Sequence, residues 1–438
     1  MKVVDEDRRR SSAAWLPIIR LTFALASLPV ATSEASARQI EGHLSQRDRT
    51  PTNVAKECDT TQRASREVRL GTGKQLVYVE PQAVAFGQGR LLALGSPVMR
   101  NQMSVAMIGR KPAAGAIISP DGRASIVPMP PGTQRMFAPR IFYQAGSGWH
   151  VLWIETAQTD SPRVSQPGVL MYARFDGTDW SLPQRVSSSR SFLTNPTLPS
   201  QVVPTREGFA LAVPIHRELD SAIVVWVREA GQWREAPVSM ARRALYATLV
   251  ESRGQLVLVY AGRTPDDRVA LITTRSHDGA RTWSTPTVVT FGSVFEPTVL
   301  AGERQLTLVW IDAQSTNNPR GARIAFSRDL GDTWTAPASV LGADEATSVA
   351  AVRVSGDWSL VFPTTAGPRR AQDLVVIGRE TQKLLARDSV VGKAITIVPV
   401  AASKREVFAL WNTAEPTATA MLPKLFLLRL RLSCEPPW

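Results

Sequence analysis

Apolar residues beyond about residue 80 recur in short runs, each bounded by Gly, Asp or Pro. Examples are VLMYARF, AIVVWV and ARIAF, each followed by a turn that is rich in polar residues and Gly. Alternating or continuous apolar runs between such residues predict β-strands and hairpins. No helical periodicity of useful length follows residue 40, so the pattern predicts an all-β chain.

The strand pattern repeats along the chain. Four tryptophans, Trp180, Trp233, Trp283 and Trp334, are separated by 53, 50 and 51 residues, and each is followed by a proline within four positions. A fixed period of this length with four short strands per unit is typical of β-propeller blades. Extending the pattern in both directions predicts a single β-propeller of about seven four-stranded blades, with six as the alternative if the first unit is irregular.

The last unit has three apolar segments and lacks an outer strand. We expect residues 67–70 (EVRL) to supply it, because an N-terminal strand that completes the last blade leaves no open sheet edge. The two cysteines, Cys58 and Cys434, lie near the two ends of the expected mature chain. In an oxidising compartment they can form a disulfide that closes the ring, and the alternative is two unrelated thiols.

Residues 1–37 have the pattern of a signal peptide. A basic start is followed by an apolar stretch at residues 21–30 and by the small residues Ala35, Ser36 and Ala37. The apolar stretch is too short to span a bilayer. We expect export to the periplasm or out of the cell without a membrane span, a loose polar arm over residues 38–66, and the propeller over residues 67–438. The alternative is a disordered basic tail.

The net charge of +13 comes mostly from arginines scattered along the chain. A nucleic-acid-binding protein more often shows clustered Lys and Arg interleaved with aromatics, and the only such block here is residues 8–10. A generally basic surface therefore favours anionic partners without indicating nucleic acid. Four histidines without ligand spacing, and no phosphate or dinucleotide motif, predict neither a metal site nor a cofactor.

Two segments before the repeating tryptophans share a motif. Residues 327–334 (SRDLGDTW) match S-x-D-x-G-x-T-W in full, and residues 276–283 (SHDGARTW) have alanine where the motif has glycine. Asp176 with Trp180, and Gly231 with Trp233, are eroded copies. On these motifs, known as Asp-boxes, residues 76–433 resemble the sialidase-like (BNR-repeat) propellers. We assign the box residues structural roles in turns and packing: Ser276, Asp278, Trp283, Ser327, Asp329, Gly331 and Trp334.

The resemblance implies that the boxes lie on the turn joining the two outer strands, away from the ligand face. Counting the four strands of each blade in chain order, polar residues at the end of the second strand or at the start of the first strand are therefore the candidates for the ligand face. The candidate catalytic carboxylates are Glu155, Glu218, Glu296 and Asp312. The candidate ligand-binding residues are Arg140, His216, Arg217, Arg263 and Asn412. The alternative for any one of them is a polar strand end that meets water.

A sialidase would carry an arginine triad, an Asp acid/base and a late Tyr nucleophile helped by Glu. The last tyrosine here is Tyr260, and Pro139-Arg140 has the proline on the wrong side for the family's opening arginine. We therefore expect a monomeric, exported propeller that binds a carbohydrate or protein partner opposite its Asp-boxes, without sialidase chemistry. The alternative is a glycoside hydrolase, sialidase-related or using two carboxylates, that acts on extracellular glycans.

Overall fold

The computed structural model describes residues 60–70, 82–95, 107–108, 111–133, 136–156, 165–193, 202–206, 208–217, 220–313, 321–341, 343, 346–365, 372–378, 381–388, 394–416 and 421–432. These residues lie in one unit, Val54–Trp438, and form strands and turns without a helix, which confirms the all-β prediction. A search of the same residues for a helix that could cross a membrane finds none. The expected signal peptide, Cys58, Cys434 and Glu218 lie outside the described residues.

The strands are numbered in chain order. Up to residue 175 they are β1 (Thr60–Glu67), β2 (Arg69–Leu70), β3 (Ala83–Gly87), β4 (Arg90–Leu94), β5 (Met107–Ile108), β6 (Lys111–Ile118), β7 (Arg123–Pro128), β8 (Met136–Gln144), β9 (Gly148–Thr156) and β10 (Ser165–Phe175). Up to residue 291 they are β11 (Gln184–Arg185), β12 (Arg190–Leu193), β13 (Val202–Thr205), β14 (Gly208–Arg217), β15 (Asp220–Glu229), β16 (Gln232–Val238), β17 (Arg242–Ser252), β18 (Gln255–Arg263), β19 (Val269–Ser276) and β20 (Thr287–Phe291). The remainder are β21 (Ser293–Ala301), β22 (Leu306–Ala313), β23 (Gly321–Ser327), β24 (Ala338–Ser339), β25 (Ala346–Ser355), β26 (Trp358–Thr365), β27 (Gln372–Gly378), β28 (Thr381–Asp388), β29 (Ala394–Ser403), β30 (Glu406–Pro416) and β31 (Met421–Leu432).

The described strands form six hydrogen-bonded sheets arranged as a β-propeller. Four sheets have four strands each, in the orders β17–β18–β19–β20, β21–β22–β23–β24, β25–β26–β27–β28 and β29–β30–β31–β1. A six-stranded sheet contains β2–β7, and a nine-stranded sheet contains β8–β16. The ring closes where β29 contacts β3.

The expectation of seven separate blades is not confirmed. The described strands form six sheets, the number of the alternative, but the first unit forms a sheet of its own and is not the cause. The physical reason is β12, a short strand between two consecutive sequence repeats. It pairs with β10 on one side and with β14 on the other. Hydrogen bonding through β12 therefore joins the strands of two repeats into the single nine-stranded sheet.

The last sheet is completed by a strand from the N-terminal part of the chain, as expected, but by a different segment. β1 pairs antiparallel with β31 from Thr60–Leu432 to Glu67–Phe426. Residues 60–66, which we expected in the loose arm, therefore belong to the propeller. Of the predicted segment 67–70, Arg69 and Leu70 instead form β2, which pairs parallel with β7 in the first sheet. The N-terminal segment thus pairs with both the last and the first sheet.

The core consists of apolar side chains packed between neighbouring sheets. One cluster joins Val225 of β15 with Leu249 and Leu258 of the next sheet, and another joins Leu91 of the first sheet with Leu410 of the last. Because both faces of such a sheet are covered, a second strand such as β18 is buried almost without interruption from Leu256 to Ala261. This explains why the sequence shows continuous apolar runs rather than strict alternation.

Candidate functional site

The complete Asp-box forms the turn between β23 and β24. The Ser327 hydroxyl donates to Asp329 Oδ1 at 2.8 Å, and the Thr333 hydroxyl donates to Oδ2 at 2.5 Å. The Gly331 N–H donates to Ser327 Oγ at 2.7 Å. Burial raises the pKa of Asp329, but the hydrogen bonds from Thr333 and Ser327 lower it more, so that it lies below its ordinary value. The carboxylate therefore holds the turn as an ionised acceptor.

The second box has the same contacts although alanine replaces its glycine. The Ser276 hydroxyl donates to Asp278 Oδ1 at 2.8 Å, and the Thr282 hydroxyl donates to Oδ2 at 2.6 Å. Ala280 adopts a left-handed φ of 67° and its N–H donates to Ser276 Oγ at 2.8 Å. Trp283, like Trp334 of the complete box, packs on a cluster that spans two sheets. The box side chains thus contact the turn and the core.

The strand directions show which end of each sheet lies opposite the Asp-box turns. In the sheet β21–β24, Ser327 at the end of β23 lies opposite Leu306 at the start of β22, which in turn lies opposite Ala301 at the end of β21. The start of β21 is therefore at the other end of the sheet. We call the end with the box turns the box rim, and the end where the first strands begin the mouth.

Three first strands carry the same irregularity at the mouth, and two of them, β17 and β21, are neighbours. Register shifts in β8, β17 and β21 fall between Phe137 and Arg140, Arg242 and Tyr246, and Phe295 and Thr298. Each shift contains a non-glycine residue with a left-handed φ: Ala138 at 46°, Arg243 at 47° and Glu296 at 51°. Such residues are uncommon, and bulges redirect side chains and are over-represented next to active sites. The bulges therefore change the course of three first strands at the mouth.

Two predicted carboxylates at the mouth lie in one sheet and have described neighbours. Glu296 is half-buried in β21 and its Oε2 accepts the hydroxyl of Ser348, from β25 of the next sheet, at 2.7 Å. Asp312 lies near the end of β22, with its Oδ2 3.6 Å from Arg323 Nε. In the ladder, Asp312 pairs with Val294, two residues before Glu296. The structure therefore places this pair on adjacent strands.

Glu155 and Arg140 form a second pair on adjacent strands, β9 and β8. Glu155 is half-buried and its ladder partner is Met136. The Arg140 guanidinium donates to the carbonyls of Ala138 at 3.0 Å and Pro139 at 2.8 Å. Burial lowers the pKa of Arg140 to about 10, which leaves it protonated at neutral pH. Its charge helps to hold the bulge of its own strand.

Arg263 belongs to a charged cluster of which it is the only residue that the sequence predicted; the other members are Asp220, Arg243 and Asp267. Its guanidinium donates to the Asp267 carbonyl at 2.6 Å and carboxylate at 3.1 Å. Arg243 donates to the same carboxylate at 3.1 Å, and its N–H donates to Asp220 Oδ1 at 2.8 Å. The sequence signals for the missed residues are the Arg242-Arg243 doublet that opens β17 and the Asp220 that opens β15.

The remaining predicted ligand residues lie on two other second strands. His216 is exposed near the end of β14 and pairs with Ser191 and Ser221. Arg217 ends the same strand, and Asn412 lies in β30, where it pairs with Leu425. Within the described part of the chain, no group of three or more His, Cys, Asp or Glu residues is arranged to hold a metal ion.

No family model and no curated protein matches this sequence. Among solved structures, the polysaccharide lyase Uly1 is 8% identical and covers 86% of this chain and 99% of its own, with a TM-score of 0.52. The fold is a sialidase-like β-propeller. The Trypanosoma rangeli sialidase in complex with sialic acid (16% identity, 79% of this chain and 59% of its own, TM-score 0.43) is also similar. The α-L-arabinofuranosidase Arb93A from Fusarium graminearum is similar as well, with 14% identity over 68% of this chain and 92% of its own and a TM-score of 0.44. At these identities the likeness is one of fold alone.

Proposed function

We propose that this sialidase-like propeller is exported and binds a carbohydrate at its mouth, without sialidase chemistry. The observation that carries the proposal is the bulge repeated in β8, β17 and β21, each with a left-handed non-glycine residue. Backbone strain of this kind costs free energy and is concentrated where a ligand or a reaction requires it. Three copies at one rim, two of them on the adjacent strands β17 and β21, favour a ligand site there.

The chemistry of the mouth favours a sugar. Carboxylates such as Glu296 and Asp267, beside guanidiniums such as Arg243 and Arg263, supply both acceptors and donors for hydroxyl groups. The contacts of Glu296 to Ser348 and of Asp267 to two arginines hold these groups in place before a ligand arrives. Preorganised polar groups lower the cost of binding. The fold shared with a polysaccharide lyase is in keeping with a glycan ligand.

The same contacts favour binding over catalysis. Glu296 accepts a hydrogen bond from Ser348, Asp312 lies beside Arg323, and the Arg140 guanidinium donates to backbone carbonyls of its own strand. These groups are therefore engaged in contacts within the protein. The last tyrosine of the chain, Tyr260, is buried, and burial raises its pKa to about 12. A tyrosine nucleophile needs its phenolate to be accessible, so Tyr260 is a poor candidate.

The test is a glycan-binding screen of the purified chain from residue 38, with a parallel assay on fluorogenic glycosides that include sialosides. We expect Glu296→Gln to weaken binding of the selected glycan about tenfold, since it removes the charge from one hydrogen-bonding group. The matched control is Glu303→Gln, an exposed glutamate between β21 and β22 of the same sheet but at the box rim. It should bind as the wild type does.

Two results would overturn the proposal. Turnover of any glycoside that is abolished by Glu155→Gln, Glu296→Gln or Asp312→Asn would show a glycosidase. Equal glycan binding by the wild type and by Glu296→Gln, with both melting at the same temperature, would move the site away from the mouth.

A further inference from the structure

The box rim carries a cavity of about 340 Å³ that no part of the proposed function uses. It lies in the nine-stranded sheet, where the turn between β8 and β9 meets the ends of β10 and β15. Its volume falls in the range of small-molecule sites. The lining side chains that matter here are Gln144, Ser147, His150, Tyr172, Arg174 and Arg228.

A buried histidine links two hydroxyl groups of the cavity. Ser147 Oγ lies 2.7 Å from His150 Nε2, and the Tyr172 hydroxyl lies 2.8 Å from His150 Nδ1. The ring stacks on Phe142 at 4.7 Å and is 4% exposed. Burial, with the nearby charges of Arg228 and Arg174, lowers the pKa of His150 to about 4, so the imidazole is neutral at pH 7.

A neutral imidazole donates one hydrogen bond and accepts one. Of the two hydroxyls, one therefore donates to the ring and the other accepts from it. If Tyr172 accepts from the ring, its O–H remains for a further group. If Ser147 accepts, its O–H can donate to Gln144 Oε1 at 3.3 Å or to a ligand in its place. A general base works best with a pKa near the operating pH, so His150 is suited to orienting these donors rather than to activating Ser147.

Two arginines of the cavity form no ion pair within the described part of the chain. Asp176 lies near one of them: the N–H groups of Asp179 and Thr178 lower the pKa of its carboxyl, and the charge of Arg174 lowers it further. The Arg228 guanidinium carbon lies 4.9 Å from the centre of the Tyr172 ring, and its Nε is buried without a partner among the described residues. Arg174 is exposed, and no ion pair involves it within the described part of the chain. Two other half-buried arginines of this rim also have an unpaired Nε but form ion pairs through other atoms: Arg234 with Glu229 and Arg275 with Asp332.

We propose that this cavity binds the oxyanion group of a small polar ligand, a carboxylate, sulfate or phosphate, between Arg174 and Arg228, with a hydroxyl of Tyr172 or Ser147 as a further donor. Guanidinium groups match such oxyanions with paired N–H donors. Arg228 is held over the Tyr172 ring and so needs little ordering on binding. The site is separate from the mouth because it lies at the opposite rim.

The test is calorimetric titration of the chain from residue 38 with glucuronate, inorganic sulfate and inorganic phosphate, and with glucose as the uncharged match for glucuronate. We expect at least one anion to bind and glucose not to bind. Arg174→Gln should weaken anion binding about tenfold, since it removes a charged hydrogen-bonding group. One of Tyr172→Phe and Ser147→Ala should weaken binding to a similar degree, according to which hydroxyl donates to the anion. Arg174 is exposed, so Arg174→Gln should melt as the wild type does. Tyr172→Phe keeps the ring but leaves the buried His150 Nδ1 without its partner, so it should melt at a somewhat lower temperature.

The matched control is Arg206→Gln, an exposed arginine on the turn between β13 and β14 of the same rim, outside the cavity lining. It should bind the anions as the wild type does. Preference for glucuronate would indicate a carboxylate ligand, and preference for sulfate or phosphate an ester. Glucose binding equal to that of glucuronate, no binding of any anion at millimolar concentration, or equal loss in Arg206→Gln would overturn the proposal. Glu296→Gln should leave anion binding at the cavity unchanged. Failure of the anion-site proposal can therefore be distinguished from failure of the proposed carbohydrate site at the mouth.

Discussion

Each Asp-box turn requires two successive residues with a left-handed backbone, and the two boxes place their glycine differently. In one the pair is Leu330 and Gly331, and in the other it is Gly279 and Ala280. Glycine relieves the strain at one position of each pair. The hydrogen bonds to the aspartate hold the other residue in place. The apparent loss of the motif glycine at Ala280 is therefore a shift by one residue.

At this scale we predict the cost of removing the box carboxylate. Asp329→Ala leaves the hydroxyls of Ser327 and Thr333 and the Thr333 N–H without their acceptor. We expect a loss of about 1–2 kcal/mol in the free energy of unfolding by urea at pH 7, as for other lost caps. The control Asp332→Ala removes only the ion pair between the exposed Asp332 carboxylate and Arg275, and it should cost less than Asp329→Ala, about 0.5–1 kcal/mol.

The loss of stability caused by Asp329→Ala should become smaller as the pH falls. The folded-state pKa of Asp329 lies below its ordinary value. Its stabilisation is therefore complete above the unfolded pKa of about 4 and is lost as the pH falls through the folded value. The stability difference between the wild type and Asp329→Ala should shrink in acid below about pH 4. A difference that stays constant across that range would contradict the assignment.

At the scale of elements, β1 is the strand that covers the outer edge of β31 in the last sheet. It covers β31 over Thr60–Glu67, and the next residue, Val68, donates its N–H to the Leu425 carbonyl at 2.9 Å. Without β1, the edge of β31 would present unpaired backbone groups together with a row of leucines. Such edges promote association with other chains.

We predict that a chain starting at Val68 melts at a lower temperature than one starting at Val54, which keeps β1. Cys58→Ser in the longer chain keeps the cysteine content of the two equal. The expected decrease is roughly 2–3 °C, equivalent to about 2 kcal/mol for a chain of this length, with self-association visible by light scattering. Equal melting temperatures and a monomeric shorter chain would show that β1 contributes little.

At the scale of the whole molecule, the ring is held closed by contacts between its two ends. Thr60 pairs with Leu432, and Cys58 and Cys434 each lie two residues beyond one of these partners in the sequence. We therefore maintain the prediction of a disulfide between them. Such a bond would link the two ends of the propeller and restrict the unfolded chain through a very long loop.

The prediction is checked on protein secreted into an oxidising compartment. Its intact mass should be lower than that of the reduced protein by two hydrogens. Cys58→Ser and Cys434→Ser should each reduce stability by up to about 4 kcal/mol. The double variant should cost no more than either single one, because both remove the same bond. Additive effects of the two substitutions would indicate two independent thiols.

The sequence alone determined the features that depend on neighbouring residues. The apolar runs and the tryptophan period predicted the sheets, because burial on both faces is visible as local composition. The box residues were recognised because a turn is stabilised by side chains a few positions apart, such as Ser327, Asp329 and Thr333. The strand-end positions of Glu155 and Asp312 followed from the same local pattern.

Tertiary structure decided what depends on pairing between distant segments. The choice of residues 60–67 to cover β31, and the joining of two repeats through β12, depend on strand register, which no local pattern specifies. The bulge at Glu296 was not visible in the sequence, because its left-handed backbone is held by its surroundings. The cavity at the box rim brings together Ser147, Tyr172 and Arg228. These residues are distant in the sequence, and only the pairing of strands within the nine-stranded sheet brings them close together.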